Sequence, residues 1–137
     1  MTRPPGTTIA NADALRAIAA LLGGYFDGLY FSDTRRLRRV FHPEAVYATA
    51  TPGEPLILRM SEYFAMVDQR PSPASRGEAR TDRILSVDFV GSATALAKVQ
   101  CSIEPKHFTD LLTLIHADGR WQIISKVFHY DAAPLTT

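Results

Sequence analysis

Hydrophobic positions recur at helical spacing in the first third of this chain and alternate in pairs over its last half. Leu15, Ile18, Ala19, Leu22, Tyr25, Phe26 and Leu29 form one stripe and predict a helix from about Thr8 or Asn11 to Leu29. Gly23 and Gly24 interrupt it, as room for a ligand or as a kink. Asp33 has the chemistry of an N-cap for a short second helix, Thr34–Phe41, with Leu37, Val40 and Phe41 facing inward. Residues 45–50 alternate as a strand, Pro52-Gly53 turns the chain, and residues 55–58 return antiparallel. Ser61 is expected to cap a third helix to about Gln69, with Tyr63, Phe64 and Val67 inside. Arg70–Arg80 is a loop by composition and the candidate for a lid.

Everything that follows reads as strand. Residues 83–90 end at Gly91-Ser92, and residues 93–103 alternate small apolar residues with polar ones. Glu104-Pro105-Lys106 turns into a long hairpin, Phe108–Tyr130. Helices first and long antiparallel strands afterwards predict an α+β fold, a curved sheet wrapped on one face by three helices. One domain spans residues 1–137, with loose arms at 1–7 and 131–137.

The hairpin also carries candidate chemistry. Ala117-Asp118-Gly119 is its turn. A three-residue loop places Asp110 opposite Lys126; a two-residue Asp118-Gly119 loop places Asp110 opposite Val127. The first register sets a carboxylate and an ammonium on the face that carries Leu112, Leu114, Ile124 and Phe128. Charges on an apolar face mark either a site or a structural ion pair. The same register puts Leu111, Thr113, Ile115, Trp121, Ile123, Ser125, Val127 and His129 on the outer face, with His107 opposite His129. A hairpin apolar on both faces must bury both, so a homodimer through the outer sheet face is expected.

Composition narrows the function. Lys and Arg number 15 against 14 Asp and Glu, a formal charge of +1, which offers no footprint for nucleic acid or an anionic membrane. The four arginines of residues 35–39 therefore read as a solvated helix face. Cys101 is the single cysteine and reads as core, and a reducing, cytoplasmic compartment is expected. The opening MTRPPGTT has no secretory pattern, and the longest apolar run, Ile18–Leu22, is too short to cross a membrane. No phosphate loop or nucleophile elbow occurs, and two histidines make an incomplete metal site, so neither cofactor nor metal is implied.

The segments Tyr25–Gly28, Asp33 with Leu37, Phe41–Ala45, Asp110–Leu112 and Gly119–Phe128 resemble, in order and spacing, the nuclear transport factor 2-like superfamily. The resemblance covers roughly residues 12–130 and is strongest to its lumazine-binding, or polyketide-cyclase-like (SnoaL-like), branch. It implies a cone-shaped, cystatin-like fold around an apolar pocket, shared by isomerases, dehydratases, cyclases and plain binding modules. Comparison with the ketosteroid isomerase branch puts its oxyanion-binding tyrosine at Tyr25 and its second donor at Asp110. Its catalytic aspartate falls on Thr49, which cannot act as that base.

Two functions follow. One is a cofactor-independent lyase, isomerase or cyclase for an apolar carbonyl compound, with Asp110, Lys126 and Tyr25 as catalytic groups. Phe41, His42, Tyr47, Thr49, Tyr63, Val67, Leu112, Ile124 and Phe128 would then bind a small apolar or aromatic ligand. His42 is either a base at the pocket rim or a cation at the end of the second helix. The other function is a non-catalytic ligand-binding or accessory module whose Asp–Lys pair is structural.

Overall fold

The computed structural model describes residues 7–132, so most of both expected terminal arms lies outside the described residues. Helix α1 runs Thr7–Tyr30, α2 Thr34–Val40 and α3 Met60–Gln69. The strands are β1 Phe41–Thr49, β2 Leu56–Arg59, β3 Arg83–Val90, β4 Thr94–Ile103, β5 Lys106–Ala117 and β6 Arg120–Ala132. They form one sheet in the order β2-β1-β6-β5-β4-β3. Only the β1–β6 contact is parallel; the chain crosses from the β1–β2 hairpin to the far edge of the sheet through α3 and returns strand by strand to β6. The result is the α+β architecture read from the periodicity.

Local chemistry explains the element ends. Asp33 Oδ1 accepts from the backbone N–H groups of Arg35 and Arg36 at 3.1 and 3.4 Å, as an N-cap should. Phe41 is the first residue of β1 rather than the last of α2. The start of α3 corrects the expectation for Ser61. The helix begins at Met60, and Glu62 Oε1 reaches back to the N–H of Arg59 at 3.1 Å. Gly28, not Gly23 or Gly24, is where α1 and α2 touch most closely. A Cβ there would lie 2.5 Å from Leu37 Cδ2. The stripe of α1 is buried at Ile18, Leu22, Tyr25, Phe26 and Leu29, but Ala19 is exposed and Leu15 is 46% exposed, so the expected stripe is narrower than its periodicity.

The long hairpin departs from the expected register. Asp118 and Gly119 both take positive φ, 54° and 79°, the signature of a two-residue turn. Ala117 accordingly faces Arg120, and Leu114 faces Ile123. A bulge then adds Ile124 to β6, so Thr113 faces Ser125, Leu112 faces Lys126 and Asp110 faces Phe128. The turn slips the register by one residue and the bulge adds a second. Two slips restore the parity, so Asp110 and Lys126 share the inner face as diagonal neighbours instead of direct partners. Before the bulge the parity is reversed, which carries Trp121 and Ile123 into the core at 8% and 0% exposure. Their expected place on the outer face is thereby corrected. His107 and His129 are not opposite either; they pair with Asp131 and Thr109.

The proposed lid is pinned in place. Ala74–Arg76 forms a 3-10 turn, Arg76 Nη2 donates to Glu104 O at 2.7 Å, and the Tyr30 hydroxyl donates to Glu78 O at 2.6 Å.

Candidate functional site

The inner face of the sheet stacks in cross-strand rows, and the rows place the site. One row joins Leu58, Tyr47, Lys126, Leu112 and Ala97 across five strands. The next runs Phe128, Asp110, Val99. A third joins Tyr130, Phe108 and Cys101. Above them α3 contributes Tyr63 and α1 contributes Tyr25, both fully buried.

Between these rows and the helices opens a cavity of about 330 Å³. That size is within the range of small-molecule sites. Its walls are aromatic, with Tyr47, Tyr63, Phe108, Phe128 and Tyr130, and Lys126 lies at its floor. A larger, more open cleft of about 690 Å³ lies near the hairpin tip, lined by Asp13, Arg39, His116, Arg120 and Trp121 among others. The smaller cavity is the better candidate, because it alone contains a buried cation.

Lys126 is 5% exposed and its ammonium is ringed by aromatic faces. Nζ lies 5.1 Å from the centroid of Tyr63, 5.2 Å from Tyr25, 5.4 Å from Phe128 and 5.7 Å from Tyr47. Desolvated cation–π contacts contribute up to about 2 kcal/mol each, which helps a charge tolerate this burial. Burial works against the ammonium, but negative charge nearby, on Tyr63 when it ionises at high pH and on the Asp110 carboxylate, outweighs it and raises its pKa above the ordinary lysine range. Lys126 is therefore a cation at neutral pH. Nζ donates to the Tyr63 hydroxyl oxygen at 3.3 Å. That leaves the Tyr63 proton, and further N–H groups of Lys126, to be donated elsewhere.

Asp110 sits one layer deeper. It is 0% exposed and is not part of the cavity wall. The Tyr25 hydroxyl donates to its Oδ2 at 2.5 Å, whereas its Oδ1 is buried without a hydrogen-bond partner. Burial, followed by the Asp110 charge, pushes the Tyr25 hydroxyl well above its usual pKa, which fixes it as the donor. Asp110 and Lys126 do not come within ion-pair distance; the ion pairs among the described residues lie elsewhere. The carboxylate acts on Lys126 through its field and through the intervening Tyr25 ring.

Five of the residues expected at the site line the cavity: Lys126, Tyr47, Thr49, Tyr63 and Phe128. Thr49 is engaged, since its hydroxyl donates to Phe128 O at 2.7 Å and accepts from Thr51 N–H at 3.1 Å. Tyr25, Asp110, Phe41, Val67 and Leu112 are buried behind the wall. Ile124 is the bulge residue and does not reach the cavity. His42 is half-buried at the start of β1, where its Nδ1 accepts from Glu44 N–H at 3.0 Å, so it neither lines the cavity nor caps α2.

Sequence reasoning missed Glu54, Arg70, Cys101, Phe108 and Tyr130, all of which line the cavity. Phe108 and Tyr130 were accessible in principle, being two residues along the inner parity from Asp110 and Phe128. Arg70 and Glu54 lie in loops, where no period aims a side chain. Burial, and then Asp110, push the Cys101 thiol up to about 12, so it is an inert wall residue rather than a nucleophile. Among the described residues no cluster of His, Cys, Asp or Glu is arranged to hold a metal ion. No helix among them is long and apolar enough to cross a membrane.

Comparison with known proteins places the family and the fold. The chain is 29% identical over 115 residues to aldolase FrzH of a Cladobotryum species, across 82% of this chain and 88% of that protein. Solved structures share the fold. An NTF2-like protein from Shewanella baltica superposes with a TM-score of 0.80 at 22% identity, covering 89% of this chain and 97% of its own. A “Putative Scytalone Dehydratase” from Novosphingobium aromaticivorans gives 0.69 at 17% identity, covering 96% and 99%. The fold is thus nuclear transport factor 2-like, and the family model “Putative lumazine-binding” matches residues 13–129, so the chain belongs to that family.

Proposed function

We propose that this protein is a cofactor-independent lyase that forms or stabilises an enolate of an apolar carbonyl compound, in an aldol-type or dehydration reaction. The observation that carries the reading is Lys126: a buried ammonium at the floor of an aromatic cavity, with the Tyr63 hydroxyl beside it. Two adjacent donors in the wall of one cavity, Lys126 and the Tyr63 hydroxyl, would favour the developing negative charge of an enolate oxygen over the neutral carbonyl. Glu54, at the cavity mouth, is the carboxylate on its wall and the candidate to take the proton α to the carbonyl. In the aldol direction the enolate carbon then bonds to a second carbonyl carbon, and the resulting alkoxide recovers the proton from Glu54. Cleavage runs the same steps in reverse. Asp110 and Tyr25 hold the Lys126 charge in place from behind. The aldolase-named relative supports this class of reaction.

A charged Lys126 also predicts the mode of catalysis. The charged form disfavours attack on a carbonyl, and borohydride with a ketone is expected to leave the protein mass unchanged. The decisive assay is exchange of the α-protons of acetylnaphthalene in heavy water, together with cleavage of a naphthyl β-hydroxy ketone that releases a fluorescent aldehyde. Both are expected to exceed the buffer rate and to fall by roughly 100-fold or more in Lys126→Met, on the scale of losing one oxyanion donor. Rates equal to buffer for both reactions would overturn the enzyme reading.

A second reading rests on Asp110. Its full burial behind Tyr25 is what a structural charge needs, and it favours a module that binds an apolar or aromatic ligand without transforming it. Under that reading acetylnaphthalene still binds, and no exchange occurs.

A further inference from the structure

We infer that the ligand of this cavity carries an anionic group as well as a carbonyl, and that Arg70 recognises it. The inference rests on the reading of Lys126 as the carbonyl-binding group and adds a substrate class to it. Arg70 follows the last turn of α3, where its backbone N–H closes the helix on Val67 O at 3.3 Å. Its side chain lines the same cavity as Lys126. The guanidinium Nε is buried and meets no acceptor. The arginines in ion pairs among the described residues are Arg16, Arg36, Arg76 and Arg80, and Arg70 is not one of them. A guanidinium part-buried in a cavity wall with an unmet donor is a costly arrangement unless something fills it.

The rest of the wall points the same way. Lys106 lines the cavity from β5, with its Nζ 4.7 Å over the Tyr130 ring. Three cations, Arg70, Lys106 and Lys126, face one carboxylate, Glu54. Asp110 lies behind the wall, with its Oδ2 held by Tyr25. Lys126 has Asp110 behind it and Lys106 is exposed, so the half-buried guanidinium of Arg70, with its Nε unmet, is the cation that a neutral ketone would leave desolvated and unmatched. A carboxylate accepts the planar donor fork of an arginine in bidentate fashion, and a lysine ammonium does not offer that fork. The ligand that fits is therefore an aromatic or apolar carbonyl acid: ring system against Tyr47, Phe108 and Phe128, carbonyl oxygen on Lys126, carboxylate on Arg70.

The test compares two ligands that differ by one group, acetylnaphthalene and acetylnaphthoate, by calorimetry on the full chain. The acid is expected to bind at least about tenfold more tightly at low salt, with the advantage shrinking as salt is added. Arg70→Gln should collapse the two affinities onto one value, and Arg70→Lys should restore only part of the gap. Equal binding of both ligands by the unaltered protein overturns the inference and needs no variant. So does an advantage that persists in a folded Arg70→Gln. The underlying site fails separately, if Lys126→Met leaves acetylnaphthalene binding as it was. If neither ketone binds, both readings fall.

Discussion

Asp110 and Lys126 lie on the same inner face of the β5–β6 hairpin, one step off register, with Asp110 opposite Phe128 and Lys126 opposite Leu112. The two-residue turn and the bulge at Ile124 together set that step, and Tyr25 touches both residues, donating to Asp110 with its hydroxyl and meeting Lys126 Nζ with its ring. The two charges are thus coupled through an aromatic side chain and not by direct contact. Removing one should strand the other. Lys126→Ala is expected to cost about 3–5 kcal/mol, the range for breaking a buried charged arrangement. Asp110→Leu combined with Lys126→Met should cost clearly less. Urea titrations of the single and double variants check this, and equal losses would contradict the coupling.

Alkaline pH should unfold the protein early, by a route the site dictates. Cys101, Tyr25 and Lys126 all have folded-state pKa values raised above their ordinary ones, Cys101 to about 12. A group with a raised folded pKa contributes stability that is complete below its unfolded pKa and is lost as pH climbs through the folded one. The loss therefore begins near the unfolded cysteine value, about 8.5, and deepens through the tyrosine and lysine range, about 10 and above. Thermal melts from pH 8 to pH 12 should show a progressive fall in Tm, and Cys101→Ala should flatten its first portion. At pH 8 the thiol, held protonated in the cavity wall, should react with a thiol reagent far more slowly than a free cysteine.

Gly28 should be the least replaceable glycine of α1. A helix interior ordinarily gains about 1 kcal/mol from Gly→Ala. Here the added methyl would meet Leu37 at 2.5 and 2.8 Å, and Leu37 is fully buried and cannot move aside cheaply. Overpacking of this kind costs roughly 1–3 kcal/mol, which reverses the sign. Gly23, with nothing within 4 Å of its would-be Cβ, is the control: Gly23→Ala should stabilise while Gly28→Ala destabilises, read as opposite shifts in Tm.

How far the sequence could be read follows from which features are periodic. Helix stripes and strand alternation obey fixed periods, so the element order and the burial of Tyr25 and Tyr63 were legible. Asp118-Gly119 announced a turn but not its length, and the Ile124 bulge left no mark in composition, since Ile123 and Ile124 are equally apolar. The turn slip, which the two-residue alternative allowed for, and the unread bulge cancelled for Asp110 and Lys126 and did not cancel for Trp121 and Ile123, which lie before the bulge. Arg70 and Glu54 enter the site from irregular segments, where tertiary structure alone aims a side chain.

The outer face of the sheet yields the last prediction, self-association as a homodimer. Past the bulge, Val46, Val127, Leu111 and Leu96 stand on neighbouring strands β1, β6, β5 and β4 and remain 42%, 46%, 43% and 38% exposed. All the helices of the described residues lie on the other side of the sheet, where the core is. Apolar side chains grouped on four adjacent strands form a patch of the kind soluble monomers rarely leave open. A second copy turned about a twofold axis presents the same patch, so one set of residues covers itself. The usable probes are residues that are exposed in the single chain, which excludes Trp121 and Ile123, since a charge there would disrupt the core. Leu111→Glu and Val127→Glu should leave the fold intact by circular dichroism. Each should convert a dimer at micromolar concentration into a monomer by sedimentation, because two like charges would meet across the axis in a desolvated contact. A monomer for the unaltered protein would refute the dimer, and a dimer indifferent to both substitutions would place its interface on another face.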